Sequence, residues 1–307
     1  MSTPTIYIIG TGAIGKALAV FLKLANKNVI LLRGSVDNQS ASNEKFQVEL
    51  SNKTVREASV EVSTLSHFSN LDGIIVLTNK SFGNENLSQA LKGKTGKSPL
   101  VVLQNGLGVE QSFIDRDFPE IYRCVLFATS QTISQNTLRF KPVSVSPIGT
   151  IKGKGTDLNS IVENLDNPNF PFKAVDDIQT IIWKKAIANS VFNSVCPLLD
   201  IDNGVFHRNE AALVIAKRVI TECIAIATAS GISLSVDAVL ESLVMISKAS
   251  DGQLISTLQD IRNKRETEIE TLNFSIVNIA RKLNKEAMVT ETKLLGELTR
   301  LKSQLNK

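Results

Sequence analysis

The chain has 307 residues, 43% of them hydrophobic and 21% charged, and this ordinary globular composition excludes wholesale disorder. Its 34 lysines and arginines against 30 aspartates and glutamates leave a net charge of +4, too small and too evenly spread to indicate a nucleic-acid-binding protein. Three widely spaced cysteines without a CxxC pair, together with only two histidines, exclude a disulfide framework and a multi-histidine metal site, so no metal is expected.

Short, continuous apolar runs alternate with amphipathic stretches in the first half of the chain. Five runs predict strands buried on both faces of a parallel sheet: Thr5–Ile9, Asn28–Leu32, Ser59–Ser63, Gly73–Thr78 and Leu100–Gln104. Helices are predicted between several of them, such as Gly15–Ala25 and Asn86–Leu91. Three further strands, expected to be antiparallel, are predicted at Tyr122–Gln131, Thr137–Phe140 and Val143–Ile148. This alternation predicts an α/β fold with a Rossmann-type, doubly wound sheet.

The second half of the chain has helical spacing of its apolar residues. The predicted helices are Gln179–Val195, Ala211–Ser230, Val236–Ile246, Thr257–Leu283 and Thr290–Leu305. We place the boundary near Ala174, which gives a sheet domain over residues 1–174 and a mostly helical domain over residues 175–307. A row of leucines near the end is expected to pack on its own domain: Leu294, Leu298, Leu301 and Leu305. The sequence leaves the oligomeric state open, with a homodimer as one alternative.

A glycine-rich loop joins the first predicted strand to the first helix. The loop reads Gly10-Thr11-Gly12-Ala13-Ile14-Gly15, a GxGxxG motif. Gly10 suits the tight turn, Gly12 allows the backbone to approach a pyrophosphate, and Gly15 allows close packing of helix and strand. The helix N-terminus then favours the phosphates of a dinucleotide. The alternative is a tight turn that binds no ligand.

The end of the second strand indicates which dinucleotide is bound. NAD sites usually carry an acidic residue there, whereas this chain has Arg33, and its first acid is Asp37. An arginine suits the 2′-phosphate of NADP through charge-assisted hydrogen bonds, unless it is simply a solvated surface residue. Lys80 and Asn105 follow the strands Gly73–Thr78 and Leu100–Gln104, at the carboxyl ends where open α/β sheets bind ligands.

One predicted helix of the second half carries a polar row in an apolar setting. Lys185, Asn189 and Asn193 are spaced i, i+4, i+8, which places them within an arc of about 80°. Asparagine is a poor residue for a helix interior, so this row favours a wall that binds a polar small molecule; the alternative is an exposed helix face. His207 has no obvious acidic partner beside it, and His67 lies in a linker before a predicted strand, so both are interpreted as structural or surface residues.

These residues together resemble the ketopantoate reductase family over nearly the whole chain. The glycine loop, Arg33, Lys80 and Asn105 match the family's NADPH-binding elements and its active-site asparagine. The family signature W-x-K-x-x-x-N-x-x-x-N is matched by Trp183, Lys185, Asn189 and Asn193. Further matches are Asn203-Gly204, Ser256-Thr257-Leu258-Gln259-Asp260-Ile261 and Thr267-Glu268-Ile269.

The resemblance also implies roles for these residues. Lys185 is then the catalytic acid, with Glu268 beside it. The substrate residues are Asn105, Asn189, Asn193, Asn203 and Ser256. A glutamate in a charged helical stretch is otherwise usually solvated. In a straight helix Ser256 and Glu268 would point about 120° apart, so contact of both with substrate requires an interruption between them or one residue reaching in from a terminus.

The activity implied by the resemblance is NADPH-dependent reduction of 2-dehydropantoate to (R)-pantoate, a step of pantothenate and coenzyme A biosynthesis. The alternatives are a reductase of another branched 2-oxo acid and a non-catalytic NADP(H)-binding sensor. No nucleic acid or membrane partner is expected, since no apolar run is long enough for a transmembrane helix and no signal peptide is expected. A cytoplasmic location is expected because the three widely spaced cysteines suit a reducing compartment. The chain departs from the family pattern at two places. After Asn193 the family commonly has Pro, Leu and a small hydroxyl residue, whereas this chain has Ser194-Val195-Cys196. After Asn273 the family usually has glycine, whereas this chain has Phe274.

Overall fold

A computed structural model describes residues 3–34, 39–154 and 158–306. The chain divides into two compact units. The first comprises Met1–Gln104 and Val109–Ile178, and the second comprises Asn105–Gly108 and Gln179–Lys307. The second unit therefore includes a four-residue loop from the sheet half of the sequence. The domain boundary near Ala174 stays a prediction, although the change between units after Ile178 lies close to it.

The first unit is built on one sheet. Its described strands are β1 (Thr5–Ile9), β2 (Val29–Arg33), β3 (Ser42–Leu50), β4 (Val55–Thr64), β5 (Gly73–Leu77), β6 (Leu100–Val102), β7 (Ile121–Cys124), β8 (Ala128–Thr132), β9 (Thr137–Pro142), β10 (Ser146–Lys152) and β11 (Phe172–Ala174). Their order is β11-β10-β7-β6-β5-β1-β2-β4-β3-β9-β8. The pairs β4–β2, β2–β1, β1–β5 and β5–β6 are all parallel, which confirms the predicted Rossmann-type centre of the sheet.

The outer part of the sheet differs from the sequence prediction. The stretch Tyr122–Gln131, predicted as one strand, contains most of two strands, β7 and β8, that lie far apart in the sheet. The expected antiparallel pairing holds for β7 with β10 and β8 with β9, but β7 also pairs parallel with β6, and β9 parallel with β3. Strand β3 was missed because only Phe46 and Val48 are buried along its polar sequence.

Helices pack on the sheet of the first unit: α1 (Ala13–Leu24), α2 (Asn84–Leu91), α3 (Gln111–Asp115) and α4 (Leu158–Leu165). Residues of β1 alternate between two apolar clusters, with Ile6 and Ile8 in one and Tyr7 and Ile9 in the other. Burial on both sides explains why the central strands read as continuous apolar runs. The carboxyl end of β1 is thereby fixed where the glycine loop begins.

The helices of the second half are α5 (Ile178–Leu199), α6 (Val205–Arg208), α7 (Glu210–Ala229), α8 (Val236–Ala249), α9 (Ser256–Arg262), α10 (Asn273–Lys282) and α11 (Thr290–Leu305). One predicted helix was wrong, because Thr257–Leu283 is broken into α9, a 3-10 turn at Ile269–Thr271, and α10. Helix α9 ends because Lys264 adopts a left-handed conformation with φ of 54°. Its N–H bonds to Ile261 O and that of Arg265 bonds to Asp260 O, as in a Schellman motif.

Helix α11 reverses the usual amphipathic pattern. Its buried face consists of small residues: Thr292, Gly296, Thr299 and Ser303. The four leucines expected to pack on their own domain are instead 42–77% exposed, because the small residues occupy the inner face. Within the described ranges, no helix combines the length and the apolar character needed to cross a membrane.

Candidate active site

The glycine loop has the geometry that its motif requires. Gly10 has φ of +121°, and a Cβ there would lie 2.5 Å from the Asn79 nitrogen. A Cβ on Gly15 would lie 2.0 Å from the Gly10 carbonyl oxygen, so this helix–loop contact admits no side chain. Among the residues that the structure describes, a Cβ at Gly12 would meet nothing within 4 Å, and no side chain caps α1 there. The open side of the loop and the uncapped helix N-terminus suit a bound phosphate group.

Thr78 holds this loop in place, which sequence reasoning missed. Its hydroxyl lies 3.1 Å from Ile9 O and 3.0 Å from Gly10 O, and one proton is shared between these two acceptors. The neighbouring Gln104 donates its side-chain amide to Asn79 O at 2.9 Å. The available signal was positional, because Thr78 directly follows the carboxyl end of β5. Lys80 follows two residues later and is exposed.

Arg33 lies at the end of β2 and is joined to β3. Its guanidinium lies 3.0 Å from the Glu44 carboxylate and 3.4 Å from the Ser42 hydroxyl. The Glu44 carboxylate also accepts a hydrogen bond from Ser42 at 3.1 Å. Arg33 is therefore not the fully solvated residue of the alternative interpretation. Asp37, the first acid after Arg33, lies outside the described residues.

In the second unit, Lys185, Asn189 and Asn193 all lie on α5. Lys185 and Asn189 are partly exposed, whereas Asn193 is buried. Within the described part of the chain, the side chain of Asn189 makes no hydrogen bond, so its amide is available to a ligand. The lysine and the two asparagines thus lie on one helix, as expected, but Asn193 is buried while Lys185 and Asn189 are partly exposed.

Asn193 joins α5 to the start of α9. Its side-chain oxygen accepts from the Thr257 hydroxyl at 2.8 Å, the Ser256 hydroxyl at 3.1 Å and the Thr257 N–H at 3.3 Å. Its amide nitrogen donates to Asn189 O at 3.0 Å. Asn193 therefore caps α9 from another helix. Its partner Thr257 belongs to the matched stretch Ser256–Ile261, but sequence reasoning assigned it no role. Ser256 is exposed at the first position of α9.

Asn203 lies in the turn before α6. Its N–H donates to Gln253 O at 2.9 Å, and its carbonyl accepts from the Ser247 hydroxyl at 2.7 Å. Its buried side-chain oxygen has no hydrogen-bond partner among the residues described. His207 Nδ1 lies 3.0 Å from the Ser247 hydroxyl. The buried asparagine oxygen therefore has an unmet acceptor capacity, whereas His207 is bonded within the fold.

The loop Asn105–Gly108 packs against the segment that bears Glu268. Leu107 N–H donates to Thr271 O at 3.0 Å, and a Cβ on Gly106 would lie 2.4 Å from that same oxygen. The Thr271 hydroxyl in turn donates to Glu268 O at 3.2 Å. Because α9 ends before Glu268, this residue lies at the start of a 3-10 turn rather than on a continuous helix.

The two departures from the family pattern are buried. Ser194 donates its hydroxyl to Ser190 O at 2.6 Å, and burial raises the pKa of the Cys196 thiol to about 12, with a smaller contribution from Asp202. The Phe274 ring lies where a Cβ on Gly296 would approach it to 3.4 Å, and the Arg300 guanidinium lies 4.3 Å from the ring centre. The tighter contact of such a Cβ would be with the Asn273 Cβ, at 3.0 Å, so glycine on α11 allows α10 to approach closely at this point.

Comparison with models of known protein families shows which family the chain matches. Residues 6–146 match the family model "Ketopantoate reductase PanE/ApbA", and residues 177–299 match "Ketopantoate reductase PanE/ApbA C terminal". The chain belongs to the ketopantoate reductase family. It is an oxidoreductase of that family, and the two matches together span both compact units.

Individual ketopantoate reductases and related proteins resemble the chain along nearly its full length. The 2-dehydropantoate 2-reductase of Pyrococcus abyssi is 26% identical over 92% of this chain and 93% of its own. D-mandelate dehydrogenase, solved with NADH and anilino(oxo)acetate, has a TM-score of 0.82 at 20% identity, covering 98% and 99% of the two chains. A dimeric ketopantoate reductase from Staphylococcus aureus has a TM-score of 0.80 at 16% identity, covering 99% and 100%. The two structures share the fold.

Proposed function

We propose that this ketopantoate reductase family member reduces 2-dehydropantoate to (R)-pantoate with NADPH, as a step of pantothenate and coenzyme A biosynthesis. The single observation that carries the proposal is the composition of the second unit. That unit contains all the proposed substrate and catalytic residues, namely Asn105, Lys185, Asn189, Asn193, Asn203, Ser256 and Glu268. Contacts within it tie Asn193 to Ser256 and the Asn105 loop to the Glu268 segment.

The coenzyme part of the proposal rests on the first unit. Gly10, Thr11, Gly12, Ala13, Ile14 and Gly15 are proposed to bind the pyrophosphate, with Lys80 and Asn105 completing the coenzyme contacts. Arg33 is the proposed partner of the 2′-phosphate. The open loop at Gly12, and an α1 N-terminus that no described side chain caps, support binding of a dinucleotide. When bound, a reduced nicotinamide supplies the hydride for the substrate carbonyl carbon.

The protein itself is proposed to supply a proton donor and a positive charge for the substrate carbonyl oxygen. Reduction turns the carbonyl oxygen into an alkoxide, and the Lys185 ammonium is proposed to polarise that oxygen and then give it a proton. Glu268 is proposed to orient the ammonium and to accept a hydrogen bond from the substrate hydroxyl. The cationic lysine stabilises the charge that develops in the transition state, which is the larger catalytic effect.

The polar residues are proposed to hold the substrate in different ways. Asn189 and Asn203 are proposed to bind a hydroxylated 2-oxo acid. The partly exposed Asn189 side chain makes no hydrogen bond in the described chain, and the buried Asn203 oxygen there lacks the donor that such an atom normally has. Asn193 already uses its amide within the protein, so its proposed role is to position the Ser256 hydroxyl. Neutral donors and acceptors of this kind favour a neutral hydroxyl on the substrate over a second charge.

A turnover assay tests this proposal. Oxidation of NADPH, followed by absorbance, is measured with 2-dehydropantoate and with a panel of branched and unbranched 2-oxo acids. The proposal expects the highest kcat/KM for 2-dehydropantoate. Preference for another branched 2-oxo acid supports the related-reductase alternative, and coenzyme binding without turnover of any oxo acid supports the sensor alternative. Either result contradicts the proposal.

A homodimer in the cytoplasm is part of the same proposal. The similar S. aureus protein is dimeric, and the exposed leucines of α11 supply an apolar surface that a partner chain would cover. The three cysteines are free thiols, as suits a reducing compartment. Sedimentation velocity tests the assembly: a dimer is expected at micromolar concentration, and a monomer would contradict this part of the proposal.

A further inference from the structure

The coenzyme end of the first unit contains a carboxylate that the proposed function does not use. Glu44 lies on β3, and its carboxylate oxygen is 3.0 Å from the Arg33 guanidinium. The same oxygen accepts the Ser42 hydroxyl at 3.1 Å, while the other guanidinium nitrogen lies 3.4 Å from Ser40 O. The proposed phosphate-binding arginine therefore already has an anionic partner within the protein.

Glu44 is also the more accessible member of this pair. Its side chain is 28% exposed, compared with 14% for Arg33. Residue 44 is held by strand pairing, opposite Val60 in the β3–β4 hairpin, so its position is fixed by the sheet. A ligand at the end of β2 therefore encounters both the Glu44 carboxylate and the Arg33 guanidinium, whose positive charge Glu44 neutralises.

A nearby lysine is engaged elsewhere. Lys16 donates to Gln135 O at 2.7 Å, and its ammonium lies 4.9 Å from the centre of the Phe46 ring. Burial lowers the pKa of Lys16, and the negative charge of Glu44 opposes this shift. The field of Glu44 therefore reaches Lys16, but Arg33 is the cation in direct contact with the carboxylate.

The two nicotinamide dinucleotides make opposite demands on such a pair. The ribose 2′-hydroxyl of NADH is a hydrogen-bond donor, and an acidic residue is the usual acceptor for it. The 2′-phosphate of NADPH is an anion that needs the arginine and is repelled by a neighbouring carboxylate. Glu44 therefore favours NADH in the same place where Arg33 favours NADPH.

We propose that Glu44 sets the coenzyme selectivity of this chain, accepting the ribose hydroxyl of NADH and weakening the hold of Arg33 on the NADPH phosphate. The chain then binds both dinucleotides with affinities within about tenfold of each other, a difference of about 1.4 kcal/mol. This inference rests on the proposed function, since it requires a nicotinamide dinucleotide at the glycine loop.

Glu44→Gln is the decisive variant, because it removes the charge while keeping the size of the side chain. Dissociation constants for NADPH and NADH are measured by titrating the fluorescence of each reduced dinucleotide with protein, without substrate. The ratio Kd(NADH)/Kd(NADPH) is expected to rise about tenfold or more in the variant, mainly through tighter NADPH binding. The effect should shrink at high salt because an exposed charge is screened.

Glu57→Gln is the matched control. Glu57 is an acid on the neighbouring strand β4, paired with Lys45 at 2.6 Å rather than with Arg33. Its replacement removes one negative charge from the same hairpin and should leave the ratio unchanged. A second variant, Arg33→Asp, should weaken NADPH binding at least about tenfold while affecting NADH much less.

The outcomes separate the inference from the proposed function. Binding of both dinucleotides by the wild-type protein, with a ratio that Glu44→Gln does not change, overturns the role of Glu44 and leaves the function standing. An equal change in the Glu57→Gln control also overturns it, because a general charge effect would then explain the result. If the folded wild-type protein binds neither dinucleotide, the proposed function itself fails.

Discussion

The side-chain oxygen of Asn193 on α5 accepts a hydrogen bond from the Thr257 hydroxyl on α9 at 2.8 Å. Removing this amide leaves buried donors of α9 without an acceptor, which typically costs about 1–3 kcal/mol. Asn193→Ala should therefore lower the free energy of unfolding by about 1–3 kcal/mol in urea denaturation. It should also raise KM for the 2-oxo acid, because Ser256 loses the same acceptor.

Asn189→Ala is the control for this prediction. The Asn189 side chain makes no hydrogen bond within the described chain, so its loss should change stability by less than about 0.5 kcal/mol while still raising KM. Equal destabilisation by the two alanine variants would contradict the assignment of Asn193 as the link between α5 and α9.

Replacing Lys185 tests the proposed proton donor. A general acid usually contributes about 10²–10⁴-fold to the rate, so Lys185→Ala should lose about that much in kcat with coenzyme binding retained. Lys184→Ala is the matched control, because the adjacent lysine points about 100° away on the same helix and should lose far less. Near-normal kcat in Lys185→Ala would exclude this mechanism and direct attention to Lys80 or His207.

The docked loop Asn105–Gly108 offers a test of positioning. Gly106 has φ of +103° and has no room for a Cβ against Thr271 O, whereas Gly108 has φ of +67° with nothing within 4 Å of its Cβ position. Gly108→Ala should cost only backbone strain, about 1 kcal/mol. Gly106→Ala should destabilise more and reduce kcat, because the loop must move from the Glu268 segment. Steady-state kinetics and thermal melts check both variants, and equal effects would contradict the contact.

Replacing Lys264 with glycine should stabilise the protein, because Lys264 has a left-handed backbone conformation. A non-glycine residue in the left-handed region costs about 1–2 kcal/mol, and glycine loses part of this advantage through its flexibility in the unfolded chain. Lys264→Gly should therefore raise the free energy of unfolding by about 0.5–1 kcal/mol, measured by urea denaturation. Lys264→Ala keeps the strain and should give no gain, so an equal result for alanine would contradict this explanation.

The buried cysteines predict a loss of stability at alkaline pH. Burial raises the pKa of Cys196 and Cys223 to about 12, from the ordinary thiol value of 9.0. Because the folded pKa is the higher one, the thiols' contribution is fully present below pH 9 and is lost as pH rises towards 12. Stability measured between these values should fall less steeply in Cys223→Ala, by up to about 1.4 kcal/mol per pH unit. An unchanged slope would contradict the raised pKa.

Much of the fold follows from local sequence patterns. The strand Thr5–Ile9 and the helix Thr290–Leu305 lie at the predicted residues, because a continuous apolar run and helical spacing are local signals. The helix break at Lys264 had no such signal, since a lysine occupies the place where glycine usually marks a helix end.

The candidate site was less predictable than the fold. Spacing along α5 is a property of one helix, so the order of Lys185, Asn189 and Asn193 could be inferred. The partners of these residues could not, because Thr257 lies 64 positions from Asn193 in the sequence. The role of Glu44 could not be predicted for a similar reason. Its strand has only a weak alternation of polar and apolar residues, and the contact between Glu44 and Arg33 depends on how the strands pair in the sheet.

Phe274 on α10 and Gly296 on α11 lie against each other, so the side chains at these two positions occupy the same space between the two helices. A methyl group at 296 would lie 3.0 Å from the Asn273 Cβ, closer than an ordinary contact, and 3.4 Å from the ring, an ordinary contact distance. A glycine at 274 would leave the ring's space empty. Either change alone is therefore unfavourable. Position 296 sets how closely α10 and α11 approach each other, and Phe274 fills the space beside that close approach.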